Sequence, residues 1–147
     1  MAAVSEERLR ALVGHRFPGG EYRIEHWENF LFSEATGRAP PPDGIAHPAH
    51  LFHVPIAGAG TSIAELFELG HAESDASITI DYYDWEFLAP LREDARYVFT
   101  GGITEHERTE PAGATVDSLT FAIDVANAAG EPVARSRFRW HFWRWGA

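Results

Sequence analysis

No cysteine occurs in the chain. That absence removes disulfides, thiolate nucleophiles and Cys-ligated zinc together, and it fits a reducing, cytoplasmic setting. Positive charge is scarce: 12 Lys and Arg stand against 22 Asp and Glu, a formal net charge of −10. That sign opposes the phosphate attraction on which nucleic-acid binders depend, so DNA and RNA are poor partners. No apolar run approaches the ~20 residues that span a bilayer. The opening residues Met1 to Arg8 also lack a basic stretch followed by an apolar one. A soluble cytoplasmic protein that does not engage a membrane is the expectation.

What is present points to one folded core. The length of 147 residues and an apolar fraction of 45%, with 10 Phe, 5 Trp and 4 Tyr, supply large side chains for a sheet-rich interior. A single domain over residues 1–147 is expected.

The pattern along the chain changes once. Ser5 to Val13 carries an N-cap residue, acids in its first turn and apolar positions at helical spacing, predicting a short helix that Gly14 ends. Tyr22 and Ile24 alternate with charged residues, as on a first strand. Trp27, Phe30, Leu31 and Glu34 fall at three-to-four-residue spacing, predicting a second helix that Gly37 stops. Residues 38–48 hold four of the 9 prolines and read as a loop. Pro48 then opens a helix through Leu51, Phe52, Val54 and Ile56, Gly58-Ala59-Gly60 interrupts it, and the capping-box pattern Ser62-Ile63-Ala64-Glu65 restarts it up to Gly70. After residue 75 the period becomes two. Ile78/Ile80, Leu119 to Val125 and Phe138 to Phe142 alternate with polar residues, and turn residues separate them near 90–94, 110–113 and 127–131. The order is α+β, with an antiparallel sheet and no room for parallel crossovers.

These segments, taken in order, resemble a family. Leu12 to Phe17 with Tyr22 to Glu25, Phe32-Ser33-Glu34-Ala35-Thr36-Gly37, and Gly44 to Phe52 are similar to the opening and central helix of MaoC-like hot-dog domains, particularly the N-terminal-type dehydratase domain. Leu69 to Ala72, Trp85 to Asp94 and Gly130 to Ala134 with its arginine-rich closing strand resemble the later sheet. The resemblance covers roughly residues 12–144. It implies a hot-dog fold, a curled antiparallel sheet wrapped around a broken central α-helix. It also implies acyl-CoA or acyl-carrier-protein substrates and addition or removal of water beside the thioester. The substrate would bring its own CoA or phosphopantetheine, so no further cofactor is implied. One departure stands out. Active members carry Gly-Asp-x-Asn-Pro-x-His after the second helix, whereas Gly37-Arg38-Ala39-Pro40-Pro41-Pro42-Asp43 stands here, without the usual Asp and His.

Hydration needs one group to take a proton from water and another to protonate the α-carbon. Asp43, His47 and His50, around the mouth of the central helix, are the candidate catalytic residues. Gly44, His53, Gly58, Gly60 and Trp85 are the expected substrate-contact positions. The plainer alternative is that Asp43 caps the turn at Gly44 and the histidines are polar residues on a helix flank or a dimer seam. His47, His50 and His53 lie three apart, a spacing that drifts around a helix, and no helper carboxylate has a defined place, so no metal is expected. Gly58-Ala59-Gly60 lacks the Lys of a phosphate loop and reads as a helix break. Alternation puts Arg135, Arg137 and Arg139 on one face of the last strand, opposite Phe138 and Trp140, as a solvated face with a packed reverse.

Three functions follow from this reading: a hydratase or dehydratase of acyl thioesters, a substrate-holding subunit of a heteromeric dehydratase, and a hot-dog thioesterase, since fold alone does not choose the reaction. The expected assembly is a homodimer or a heterodimer with another hot-dog subunit, because a lone curled sheet leaves an edge strand uncovered.

Overall fold

The computed structural model describes residues 3–145; Met1, Ala2, Gly146 and Ala147, which the domain expectation included, lie outside it. A first helix, α1 (Glu6–Arg10), starts at Ser5, whose hydroxyl accepts from the Arg8 amide. Strand β1 (Gly20–Arg23) follows, then helix α2 (His26–Ala35). A 3₁₀ turn at Pro48–Phe52, helix α3 (Val54–Gly58) and helix α4 (Ile63–Leu69) form the broken helical layer. Of the capping-box pattern, one half forms: Ser62 Oγ accepts from the Glu65 amide, while the Glu65 carboxylate takes the Thr61 hydroxyl instead. Four long strands complete the chain: β2 (Ile78–Phe87), β3 (Arg96–Thr109), β4 (Thr115–Asn127) and β5 (Pro132–Arg144).

The five strands make one sheet in the order β1-β3-β4-β5-β2, and every pairing is antiparallel. The period-two residues set its buried face: Phe99, Ile103, Phe121, Ile123, Phe138 and Phe142 are buried together with Leu51, Val54, Ile56 and Leu66 of the helical layer. α3 fits close against the sheet because Gly58 has no side chain. A Cβ there would lie 2.4 Å from the Phe99 ring, which no real contact tolerates. Among the described residues no helix is long and apolar enough to cross a membrane.

At the far end of the sheet a buried carboxylate gathers four elements. Asp117 of β4 accepts from Arg108 Nε and Nη2 at 2.8 and 2.9 Å, from Arg144 Nε at 2.7 Å, and pairs with His106 Nε2 at 2.9 Å. Burial pushes its carboxyl up, but these bonds outweigh it and hold the group at about 2. Arg144 also donates to the carbonyls of Gly70 and His71, closing the end of α4. Arg144 therefore belongs to the inside row of β5, with Phe138, Trp140 and Phe142, and not to the surface arginines.

On the opposite face of β5 the arginines are neutralised one by one. Arg135 lies 3.4 Å from Asp124, and Arg137 and Arg139 donate to Glu105 and Glu107 at 3.1 and 2.7 Å. The chain of alternating charge is a solvated, self-satisfied surface, as the alternation predicts.

Candidate active site

Helix α2 is amphipathic in the reverse sense. The Trp27, Phe30, Leu31 row that predicts the helix is exposed (62, 44 and 57%), while Asn29 and Ser33 on the other side are fully buried. Periodicity fixes that a helix exists but not which of its faces the fold covers. The buried face is polar because it holds a loop in place. Asn29 Nδ2 donates to the Ile45 carbonyl at 3.0 Å and to Glu93 Oε1 at 2.6 Å, and its Oδ1 accepts from the His47 amide at 2.8 Å. His26 Nδ1 lies 2.8 Å from the other Glu93 oxygen. Bonds from Asn29 and then His26 hold the Glu93 carboxyl below the usual range, so it is ionised.

The loop before the central helix lies against the β2–β3 connection. The Ala46 amide donates to the Leu91 carbonyl at 2.7 Å and the Glu93 amide to the Gly44 carbonyl at 2.8 Å. Asp43 and Gly44 turn this loop, both with left-handed backbone (φ 62 and 69°). The Asp43 carbonyl accepts from Arg92 Nη1 at 3.0 Å. Its side chain is exposed, and no hydrogen bond joins its carboxylate to His47 or His50 among the described residues.

The three histidines collect around one ring. Phe32 of α2 has its centroid 5.2 Å from His47, 4.7 Å from His50 and 6.1 Å from His53. His47 Nδ1 accepts from the Ala49 amide at 3.1 Å, capping the 3₁₀ turn. The neutral ring must then carry its proton on Nε2, so His47 presents a donor to its surroundings. His50 is different. It is 1% exposed, and among the described residues neither ring nitrogen has a hydrogen-bond partner. Burial, and secondarily the nearby His53, push its pKa down to about 4, so the imidazole is neutral at ordinary pH. Buried polar groups are nearly always paired, so an imidazole with neither nitrogen bonded is a candidate for meeting a ligand.

An apolar cavity of about 310 Å³ is lined by Ile45, Ala46, Pro48, Phe87, Ala89, Pro90 and Leu91; its lining includes the chain neighbours of His47 but none of the three histidines. A larger hollow of about 500 Å³ at the β1 edge is lined by Glu21, Arg23, Asp94 and Arg96, which already pair with one another as Arg96 with Glu21 and Arg23 with Asp94.

Of the expected substrate-contact residues, His53 is half-buried within the histidine cluster and Gly44 is at the loop turn. Trp85 is half-buried on β2, beside Tyr83, with its indole N–H buried and without a partner among the described residues. Gly58 and Gly60 sit where α3 meets β3 and the Pro18-Gly19 turn. Asn29, Glu93, His26 and Phe32 are not among the site residues that the sequence reading names. Asn29 and Glu93 are 64 positions apart, and only the fold brings them together.

No protein-family model matches the chain, and no curated protein matches it. Solved structures do. The ChsH1–ChsH2 complex from Mycobacterium tuberculosis superposes with a TM-score of 0.69 at 13% identity, over 97% of this chain and 93% of that one. A MaoC-like dehydratase from Rhodospirillum rubrum gives 0.61 at 16% identity, over 92% and 94%. The HadBC 3R-hydroxyacyl-ACP dehydratase complex from Mycobacterium tuberculosis gives 0.61 at 16% identity, over 86% and 92%. The chain has the hot-dog fold, α+β with one antiparallel sheet around a broken helical layer.

Proposed function

We propose that this chain binds acyl thioesters carried on CoA or phosphopantetheine and adds or removes water at the 2,3 position of the acyl group, paired with another hot-dog subunit. The observation that carries the reading is His50: a buried, neutral imidazole in the turn that opens the helical layer, with neither nitrogen hydrogen-bonded among the described residues. The fold shared with a MaoC-like dehydratase and the HadBC dehydratase complex supports the substrate class by analogy of architecture.

The chemistry assigns each group a step. The thioester carbonyl takes a hydrogen bond from His47 Nε2–H, which stabilises the enolate that forms when the double bond is attacked. Water adds its oxygen to C3 while its proton passes to the free nitrogen of His50. The resulting imidazolium is a stronger acid than free imidazolium because burial disfavours its charge, and it returns the proton to C2, restoring neutral His50. The sum is one water added across one double bond. The Glu93 carboxylate, through Asn29, holds the His47 backbone in place, and no cofactor beyond the substrate's own carrier takes part.

A specific observation favours a second reading. No carboxylate is hydrogen-bonded to either His47 or His50 among the described residues, so the base lacks the orienting partner such dyads use. The chain would then hold substrate while a second subunit supplies the dyad. Hydration of crotonyl-CoA, followed by loss of enoyl absorbance, separates the two. Turnover by the chain alone that His50→Ala abolishes supports the first. Crotonyl-CoA binding without turnover supports the second, and release of free thiol from saturated acyl-CoAs would instead mark a thioesterase.

A further inference from the structure

We infer that the Trp85 indole N–H and the Ser136 hydroxyl hold the oxygen that is added to, or removed from, C3 of the acyl chain. This rests on the proposed hydration and deepens it, naming the groups that fix the water in one direction and the 3-hydroxyl in the other.

Past the irregularity between Ile80 and Tyr82, alternation puts Tyr83, Trp85 and Phe87 on one face of β2, opposite the buried Phe138, Ser136 and Ala134 of β5. This is the inner face, since Tyr83 and Trp85 pack against the core. The segment that carries the histidines runs along the same row. At one end Phe52 has its ring centroid 4.6 Å from that of Tyr83, and at the other Ala46 and Pro48 line one cavity with Phe87. Residues 48 to 52 therefore span Trp85, and the middle residue of that stretch is His50.

Hydrogen bonding sets this pair apart. Trp140 donates its indole N–H to the Tyr83 hydroxyl at 3.1 Å, and Trp143 donates to Thr79 at 2.9 Å. The Trp85 N–H is buried too, yet it has no partner among the described residues, and neither has the hydroxyl of Ser136, which is 0% exposed. Residues directly opposite on antiparallel strands hold their Cβ atoms about 5 Å apart, so the two groups are neighbours. Two orphaned groups on the sheet thus stand across from an orphaned imidazole, and one small oxygen satisfies all three. The donor and acceptor roles match water. An indole N–H only donates, a hydroxyl does either, and the unprotonated nitrogen of a neutral imidazole accepts. Water gives one hydrogen to His50 and the other to Ser136 Oγ, accepts from Trp85 on one lone pair, and keeps its second lone pair for C3. Once C3 holds the oxygen, the 3-hydroxyl keeps the bonds to Trp85 and Ser136.

The test is equilibrium binding to the whole chain by calorimetry, with two ligands that differ only in this oxygen: 3-hydroxybutyryl-CoA, in whichever enantiomer binds more tightly, and butyryl-CoA. The wild-type chain is expected to prefer the hydroxy ligand about ten-fold, as one or two net hydrogen bonds give. Trp85→Phe is expected to lower that preference below about three-fold while butyryl-CoA binds as before, and Ser136→Ala to lower it in the same direction. In the unsubstituted chain one indole N–H proton signal is expected to shift on saturation with the hydroxy ligand and to stay in place with butyryl-CoA, a readout that needs no variant. A preference that survives Trp85→Phe, an equal loss of both ligands in that variant, or a wild-type chain that binds both alike would overturn the inference. Binding of both alike removes only this inference and leaves crotonyl-CoA hydration to be judged by His50→Ala, whereas failure to bind either ligand removes the thioester reading as well.

Discussion

Replacing His50 with leucine is expected to stabilise the chain while removing its proposed chemistry. The side chain is buried with two polar atoms unpaired, and leaving such an atom without a partner costs about 1–3 kcal/mol. Leucine removes both, and an imperfect shape match gives back about 1 kcal/mol. The net gain near pH 8 is therefore about 1–5 kcal/mol, read as a higher urea midpoint at unchanged slope. Acid enlarges it. Above pH 6.5 neither the folded nor the unfolded ring binds a proton; between 6.5 and about 4 only the unfolded one does, so wild-type stability falls over that window. From pH 8 to about pH 5 the loss at this one group is about 2 kcal/mol, and the leucine variant does not suffer it. A variant no more stable than wild type, or a stability gap that stays constant from pH 8 to pH 5, would refute the argument that both nitrogens are unpaired and the ring is held neutral.

Other outcomes follow from the same structure. Asp117→Asn leaves Arg108 and Arg144 without their counter-charge and is expected to cost about 3–5 kcal/mol in urea unfolding; a cost below about 1 kcal/mol would contradict the buried cluster. Because the Asp117 carboxyl is held at about 2 against 3.8 for the free group, its contribution is complete above pH 3.8 and disappears only as the pH falls through about 2. Gly58→Ala drives a methyl group into Phe99 and is expected to cost about 1–3 kcal/mol, seen as a lower Tm; an unchanged Tm would mean that α3 is not seated as described. If the chain turns over alone, the acid limb of kcat/KM is expected near pH 4, where His50 gains its proton, and a limb near 6.5 would exclude His50 as the acceptor.

Much of the fold was legible because it follows from local rules. Period-two alternation marked β2, β4 and β5, Pro48 and Ser62 marked helical starts, and the proline run at 40–42 marked the loop. The inside position of Arg144 was also present in the alternation, since it falls in step with Phe138, Trp140 and Phe142. A charged side chain at that step reads as surface until Asp117, 27 positions earlier, is seen to meet it. The orientation of α2 was not legible: spacing is symmetric between an apolar row that faces a core and one that faces outward. The site was half legible. His47, His50 and His53 announce a cluster, but that His50 is buried and His47 is tied to Ala49 depends on the closeness of Phe32 and the turn of the backbone. The Asn29–Glu93 link depends on contact between distant segments.

The central claim is that the unpaired ring of His50 faces the bound acyl group and takes the proton of the water that adds to it. Nitrogen-15 signals of the histidine rings, followed at neutral pH as crotonyl-CoA is added, test it most directly. The account predicts that a His50 nitrogen moves away from the value of an unbonded neutral ring as the ligand saturates, and that His50→Ala loses turnover. Saturation that leaves both His50 signals where they were, or no binding at all, would contradict it.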